Sequence, residues 1–216
     1  MPPPPSFSPA CGSERNVLAL GGALWAARGA GGGPPLITSA VDHSAVLPTP
    51  RQLRDHFGFA LTILPVDAFG RVRIEDVAAA LRPDTALISI MAANNEVGTL
   101  QPWAEIGALA RARGVLFHTD AVQLAAARRW NLAEEPVDLM TLAPHKFYGP
   151  KGVGVLIVQP AVDLLPTLTG GGHEGGLRAG TCLLYTSDDA DERSSVDLGG
   201  RRNIKKKKKN RRRGGA

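Results

Sequence analysis

Residues 85–120, TALISIMAANNEVGTLQPWAEIGALARARGVLFHTD, decide the fold. Thr85 to Met91 is an apolar run suited to a strand buried on both faces. The polar loop Asn94-Asn95-Glu96-Val97-Gly98 interrupts it. A helix follows, with Pro102 in its first turn, Trp103, Ile106, Leu109 and Ala110 along one face, and Gly114 just past its end. Val115 to Thr119 reads as the next strand and closes on Asp120. A helix between two such strands predicts a parallel crossover.

The same grammar extends in both directions. Upstream, Gly12 to Arg28 reads as a helix led by Ser13 and closed by Gly29 and the cluster Gly31 to Gly33. Leu36 to Val41 is a predicted strand, and Asp42-His43-Ser44 is a loop opening a helix that runs to about His56. Phe59 to Val66 is another strand, Asp67 to Gly70 a turn, and Ile74, Val77, Ala78 and Leu81 recur at helical spacing until Pro83 stops them. Downstream, Val137 to Leu142 is a short buried strand bounded by Pro136 and Pro144, and Phe147 to Pro150 turns into the apolar run Val153 to Val158. Strand and helix alternate throughout, so the expected class is α/β: a mostly parallel sheet with helices on both faces. Functional groups of such sheets gather beyond the carboxyl ends of the strands.

Composition narrows the partners. From Cys182 onward there are eleven basic and five acidic side chains, net +6, whereas the preceding 181 residues carry 14 basic and 15 acidic ones, net −1. The body therefore gives no electrostatic reason to expect nucleic acid. With two cysteines, Cys11 and Cys182, no disulfide framework is suggested, and a reducing cytoplasm is the default location. No apolar run reaches membrane-spanning length. The expected organisation is a disordered proline-rich start over residues 1–9, a partial large domain over 10–181, and a disordered basic tail over 182–216. The tail lacks apolar periodicity and contains the run Lys205 to Lys209. Its beginning, Cys182 to Glu192, resembles the translation of a sequencing-library transposon adapter, so we read the tail as an assembly artefact; a nucleic-acid-binding tail is the rival reading.

The loop residues carry the chemistry. Lys146 is expected on a short loop between two strands, where partial desolvation favours the neutral amine that condenses with an aldehyde. A Schiff-base lysine of a pyridoxal phosphate site requires a carboxylate to keep the pyridine nitrogen protonated, and Asp120 could serve. His43 could lie against the ring face, Gln123 could reach the phenolic oxygen, and Gly12-Ser13 could offer backbone N–H groups to the phosphate. Taken singly, His43 reads as a loop histidine and Asp120 as a helix cap, and Gly12-Ser13 is a very weak phosphate signal. Their joint ordering is what gives them weight. The five histidines form no close pair of metal-ligand type, and no metal site is expected.

Six stretches in order carry a resemblance: Gly12-Ser13-Glu14; Asp42-His43-Ser44-Ala45-Val46; Asn94 to Thr99; His118-Thr119-Asp120-Ala121-Val122-Gln123; His145 to Gly152; and Gly170 to Glu174 with Arg178 to Thr181. Over roughly residues 7 to 181 the chain resembles the cysteine desulfurases of the class V pyridoxal phosphate aminotransferase superfamily. The resemblance implies the large domain of a fold-type I pyridoxal phosphate enzyme, truncated at both ends. It implies that Lys146 holds pyridoxal 5′-phosphate covalently and moves protons, that Asp120 pairs with the pyridine nitrogen, and that His43 stacks on the ring. It further implies Asn95 and Gln123 on the phenolic side, Ser13 and His145 on the phosphate, and Thr181 reaching the phosphate of the other subunit of a homodimer. The implied reaction takes sulfur from L-cysteine, leaves alanine and an enzyme persulfide, and serves an iron–sulfur scaffold or another sulfur acceptor.

Two departures and one absence qualify the match. Ala143 stands where the family usually has serine, which removes a phosphate hydroxyl, and Asp42 stands where glutamate is usual. Neither cysteine suits the sulfur-accepting role: Cys11 lies in the phosphate stretch and Cys182 in the tail. A selenocysteine lyase or another class V aminotransferase is the alternative enzyme, and an inactive fragment or a basic-tailed binding protein the alternative of another class.

Overall fold

The computed structural model describes residues 6–7, 11–29 and 32–180. The chain divides into two compact units between Ala179 and Gly180, and the first is the one described below. Expectations for residues 1–5, 8–10, 30–31 and 181–216, Gly31, the basic tail and Thr181 among them, lie outside the described residues.

Strands β1 (Ser6–Phe7), β2 (Gly33–Ser39), β3 (Phe59–Leu64), β4 (Leu87–Ser89), β5 (Leu116–Asp120), β6 (Leu139–Leu142) and β7 (Val155–Val158) form one sheet in the order β1-β7-β6-β5-β4-β2-β3. All pairings from β3 through β6 are parallel, while β7 runs antiparallel to both of its neighbours. Helices α1 (Gly12–Ala27), α2 (Pro48–Phe57), α3 (Ile74–Ala80) and α4 (Trp103–Arg113) cover the faces.

Side chains alternate across a strand, so each strand feeds two cores. Leu36, Leu87, Leu139 and Leu156 meet Leu18, Leu20 and Leu24 of α1 and Leu53 of α2 on one face. Ile37, Ile88, Phe117 and Met140 meet Val77 of α3 and Ile106 and Ala110 of α4 on the other. Both faces of the central strands are therefore buried, which is why their sequences show no alternation of apolar and charged residues. Gly107 lets α4 approach closely: a Cβ there would overlap the Pro136 carbonyl oxygen and press on the Phe117 ring. Gly114 ends α4 in the left-handed region, φ 66°, with its N–H turned back to Ala110.

Several expectations need correction. The start of the chain is not wholly irregular, because Ser6 and Phe7 pair with Ile157 and Leu156 along the outer edge of β7. Helix α1 begins at Gly12, with Cys11 at the cap position and no side-chain cap from Ser13. The helix expected directly after the loop Asp42-His43-Ser44 starts only at Pro48. The His43 ring accepts the Ala45 N–H, and its carbonyl accepts those of Val46 and Leu47, closing a turn first. Strand β4 ends at Ser89 rather than Met91, since the Met91 N–H leaves the ladder for the Asp42 carboxylate.

Candidate active site

The carboxyl ends of β2, β4, β5 and β6 point the same way, and the first turn of α1 lies beside them. Together they enclose a pocket of about 260 Å³. Its wall from α1 is Cys11, Gly12, Ser13 and Asn16; from the turn after β2, His43 and Ala45; from the segment after β4, Met91, Ala93 and Asn95. Strand β5 contributes Asp120 and the residues just beyond it, Val122 and Gln123, and the end of β6 contributes Ala143, His145 and Lys146. Eight of the nine residues singled out from the sequence thus share one pocket, and the ninth, Thr181, lies outside the described residues.

Asp120 forms the buried end. Its carboxylate accepts the Asn16 side-chain N–H at 2.8 Å and the Val122 backbone N–H at 3.0 Å. Burial pushes its pKa up, against the pull of Asn16, Val122 and nearby His43. A cation reaching this carboxylate would relieve that desolvation. His43 is fixed by accepting the Ala45 N–H at Nδ1, 2.9 Å, which leaves Nε2 to carry the proton of the neutral ring.

Asp42 anchors that turn from beneath. One carboxylate oxygen accepts from Thr38 Oγ1, Ser39 N and Ser39 Oγ at 2.8–2.9 Å, and the other from Met91 N at 2.8 Å. It thereby ties the ends of β2 and β4 together directly under His43. Desolvation outweighs these four bonds and raises its pKa from 3.8 to about 6. Deeper still, His118 is fully buried between Ser89 Oγ, 2.8 Å, and Thr141 Oγ1, 3.0 Å, and burial drives its pKa down to about 3, so the ring is neutral.

Another part of the wall is the start of α1, whose first N–H groups have no partner within the helix and carry the positive end of its dipole. Gly12 keeps the approach open: a Cβ there would stand 3.3 Å from that of Ala143. Lys146 ends the short 3-10 turn Pro144–Lys146, capped by the Phe147 N–H to Pro144. The expectation of a desolvated lysine is not met. Lys146 and His145 are exposed, because this turn lifts both past the end of β6 to the pocket mouth.

Sequence reasoning missed Asn16. It is an amide that closes the polar first turns of α1, Ser13-Glu14-Arg15-Asn16, four residues after Gly12 and so on the same helix face. That spacing was the available signal. Among the described residues no cluster of three or more His, Cys, Asp or Glu side chains could hold a metal ion, and no helix is long and apolar enough to cross a membrane.

A buried acid, an anion-receptive helix start, an imidazole in the wall and an exposed amine around one pocket define an α/β domain of the fold-type I pyridoxal phosphate class. Residues 10–181 match the family model described as aminotransferase class-V, and the chain belongs to that family, whose enzymes depend on pyridoxal phosphate. A mitochondrial cysteine desulfurase of Arthroderma benhamiae is 50% identical over 148 residues, 68% of this chain and 29% of that protein. Cysteine desulfurase IscS of Pseudomonas savastanoi pv. phaseolicola is 48% identical over 177 residues, 80% of this chain and 43% of that one. Among solved structures, a NifS-like protein superposes with a TM-score of 0.77 at 36% identity, covering 83% of this chain and 49% of its own. SspA in complex with cysteine gives 0.77 at 38%, covering 82% and 51%. The chain thus spans less than half the length of the curated relatives compared.

Proposed function

We propose that this chain is the cofactor-binding portion of a cysteine desulfurase, and that the whole enzyme takes sulfur from L-cysteine, releasing alanine and leaving a persulfide on an enzyme cysteine. The observation that carries this reading is the convergence of Lys146, Asp120, His43, Asn95, Gln123, Ser13, Gly12 and His145 on one pocket. The cysteine desulfurase names of the relatives and the cysteine-bound SspA support the substrate.

The residues fit the cofactor. When bound, pyridoxal phosphate supplies an aldehyde for an amine and an electron-withdrawing ring once its nitrogen is protonated. Asp120 would accept from that nitrogen and hold its proton, and His43 would lie against the ring face. Asn95 and Gln123 offer amides to the phenolic oxygen. The first-turn N–H groups at Gly12 and Ser13, the Ser13 hydroxyl and His145 receive the phosphate, with Ala143 adding no hydroxyl. Lys146 would be the amine that holds the cofactor and would move the proton at the substrate α-carbon. Thr181 would add a phosphate contact from the second subunit of a homodimer, and an iron–sulfur scaffold or another cytoplasmic sulfur acceptor would take the product sulfur.

The test is an absorption spectrum of the full 216-residue chain mixed with pyridoxal phosphate, before and after borohydride, with Lys146→Ala in parallel. A visible band that borohydride fixes covalently onto Lys146, and that the variant lacks, is the expected result. Identical behaviour of the two proteins would refute the assignment of Lys146 and with it the cofactor site.

A further inference from the structure

Asn16 is the second side chain at the Asp120 end of the pocket. It is 1% exposed, its Nδ2 donates to Asp120 at 2.8 Å, and its Oδ1 is buried without any hydrogen-bond partner. An ionised carboxylate only accepts, so the amide must turn its N–H group toward Asp120 and its carbonyl away. The fold therefore leaves a buried acceptor unsatisfied in order to present a donor to this one carboxylate. Each Asp120 oxygen then has one donor from the chain, Asn16 on Oδ2 and the Val122 N–H on Oδ1. The carboxylate plane is fixed from two directions and retains acceptor capacity for a further N–H from the pocket.

Resting on the cofactor reading above, we propose that Asn16 is a positioning residue for the ring nitrogen of pyridoxal phosphate: it acts through Asp120, holding that carboxylate ionised and turned toward the pocket. It differs from a packing residue in what its removal should affect. A packing role weakens every ligand alike; positioning through Asp120 matters only while Asp120 is a carboxylate and the ligand has a ring nitrogen.

The experiment measures binding of pyridoxal phosphate, by its visible band, to the full chain and to Asn16→Leu, Asp120→Asn and the double variant. Circular dichroism reports whether each is folded. Asn16→Leu is expected to weaken binding about tenfold or more in the Asp120 protein, as loss of a charge-assisted hydrogen bond does, and to have no further effect beside Asp120→Asn. A pyridoxal phosphate analogue with carbon in place of the ring nitrogen should bind wild type and Asn16→Leu equally. Should Asn16→Leu fail to fold, Asn16→Ser, which is too short to reach Asp120 but still polar, takes its place in the same cycle. Additive effects of the two substitutions, or equal losses for cofactor and analogue, overturn the proposal while leaving the cofactor site intact. If wild type attaches no cofactor at Lys146, the underlying reading fails and the role of Asn16 falls with it.

Discussion

Replacing Asp42 by asparagine should change the pH dependence of stability in a calculable direction. Burial raises the Asp42 carboxyl from 3.8 to about 6 in the folded chain, in spite of the Ser39, Thr38 and Met91 bonds. The folded state then binds the proton more tightly than the unfolded one. Stability from this group is complete below the unfolded value and is lost as pH rises through about 6. At 1.36 kcal/mol per pH unit the loss is about 3 kcal/mol, most of it between pH 4 and pH 6.5. Asparagine has no such titration, and the mismatch of its NH₂ group with the surrounding donors costs the same at every pH. Urea unfolding of both proteins across this range should therefore show the difference in unfolding free energy moving toward asparagine by about 3 kcal/mol as pH rises. A flat difference would mean that the four donors fully replace water around the carboxylate. A movement in the opposite sense would mean that they hold the charge better than water does, and either result refutes the reasoning.

His118 should act in the opposite sense. Its pKa falls from 6.5 to about 3 on burial, so the unfolded chain binds the extra proton and stability is lost as pH falls from 6.5 toward 3, by about 5 kcal/mol in all. His118→Asn, followed by acid denaturation, should flatten that limb while lowering stability at neutral pH; an unchanged acid limb would count against a neutral buried ring. Gly107→Ala forces a methyl onto the Pro136 carbonyl oxygen and the Phe117 ring, and should cost at least about 2 kcal/mol by denaturant titration. A change under about 0.5 kcal/mol would show that α4 is not packed as tightly against this segment as described.

The parallel sheet was legible in the sequence because its central strands are buried on both faces, so that runs such as Leu87–Ser89 carry no competing period. Boundaries were less so. Asp42 recruits the Met91 N–H across a sequence distance of 49 residues, and that bond, invisible in either strand alone, shortens β4. Asp120, His43 and Lys146 could be picked out because each follows a strand, where a chemically active side chain stands out against apolar neighbours. Asn16 escaped notice for the converse reason: within a helix, a single buried amide looks like any other until its partner, 104 residues away, is known. The exposure of Lys146 was misjudged because a proline-led 3-10 turn adds height that no strand pattern encodes.

The pocket wall is drawn from five stretches of chain between Cys11 and Lys146, joined by the assembled sheet and by cross-links such as Asn16 to Asp120 and the Met91 N–H to Asp42. Occupancy is therefore a thermometer of the whole domain rather than of one loop. An opening that detaches α1, or frees any one of the four contributing strands, releases the ligand at the same moment. A saturating ligand, at a hundred times its dissociation constant, should then raise the free energy of the most protected amides of α1 and β5 together, by about 2.7 kcal/mol. Hydrogen exchange would register it as a single event spread over helix and sheet.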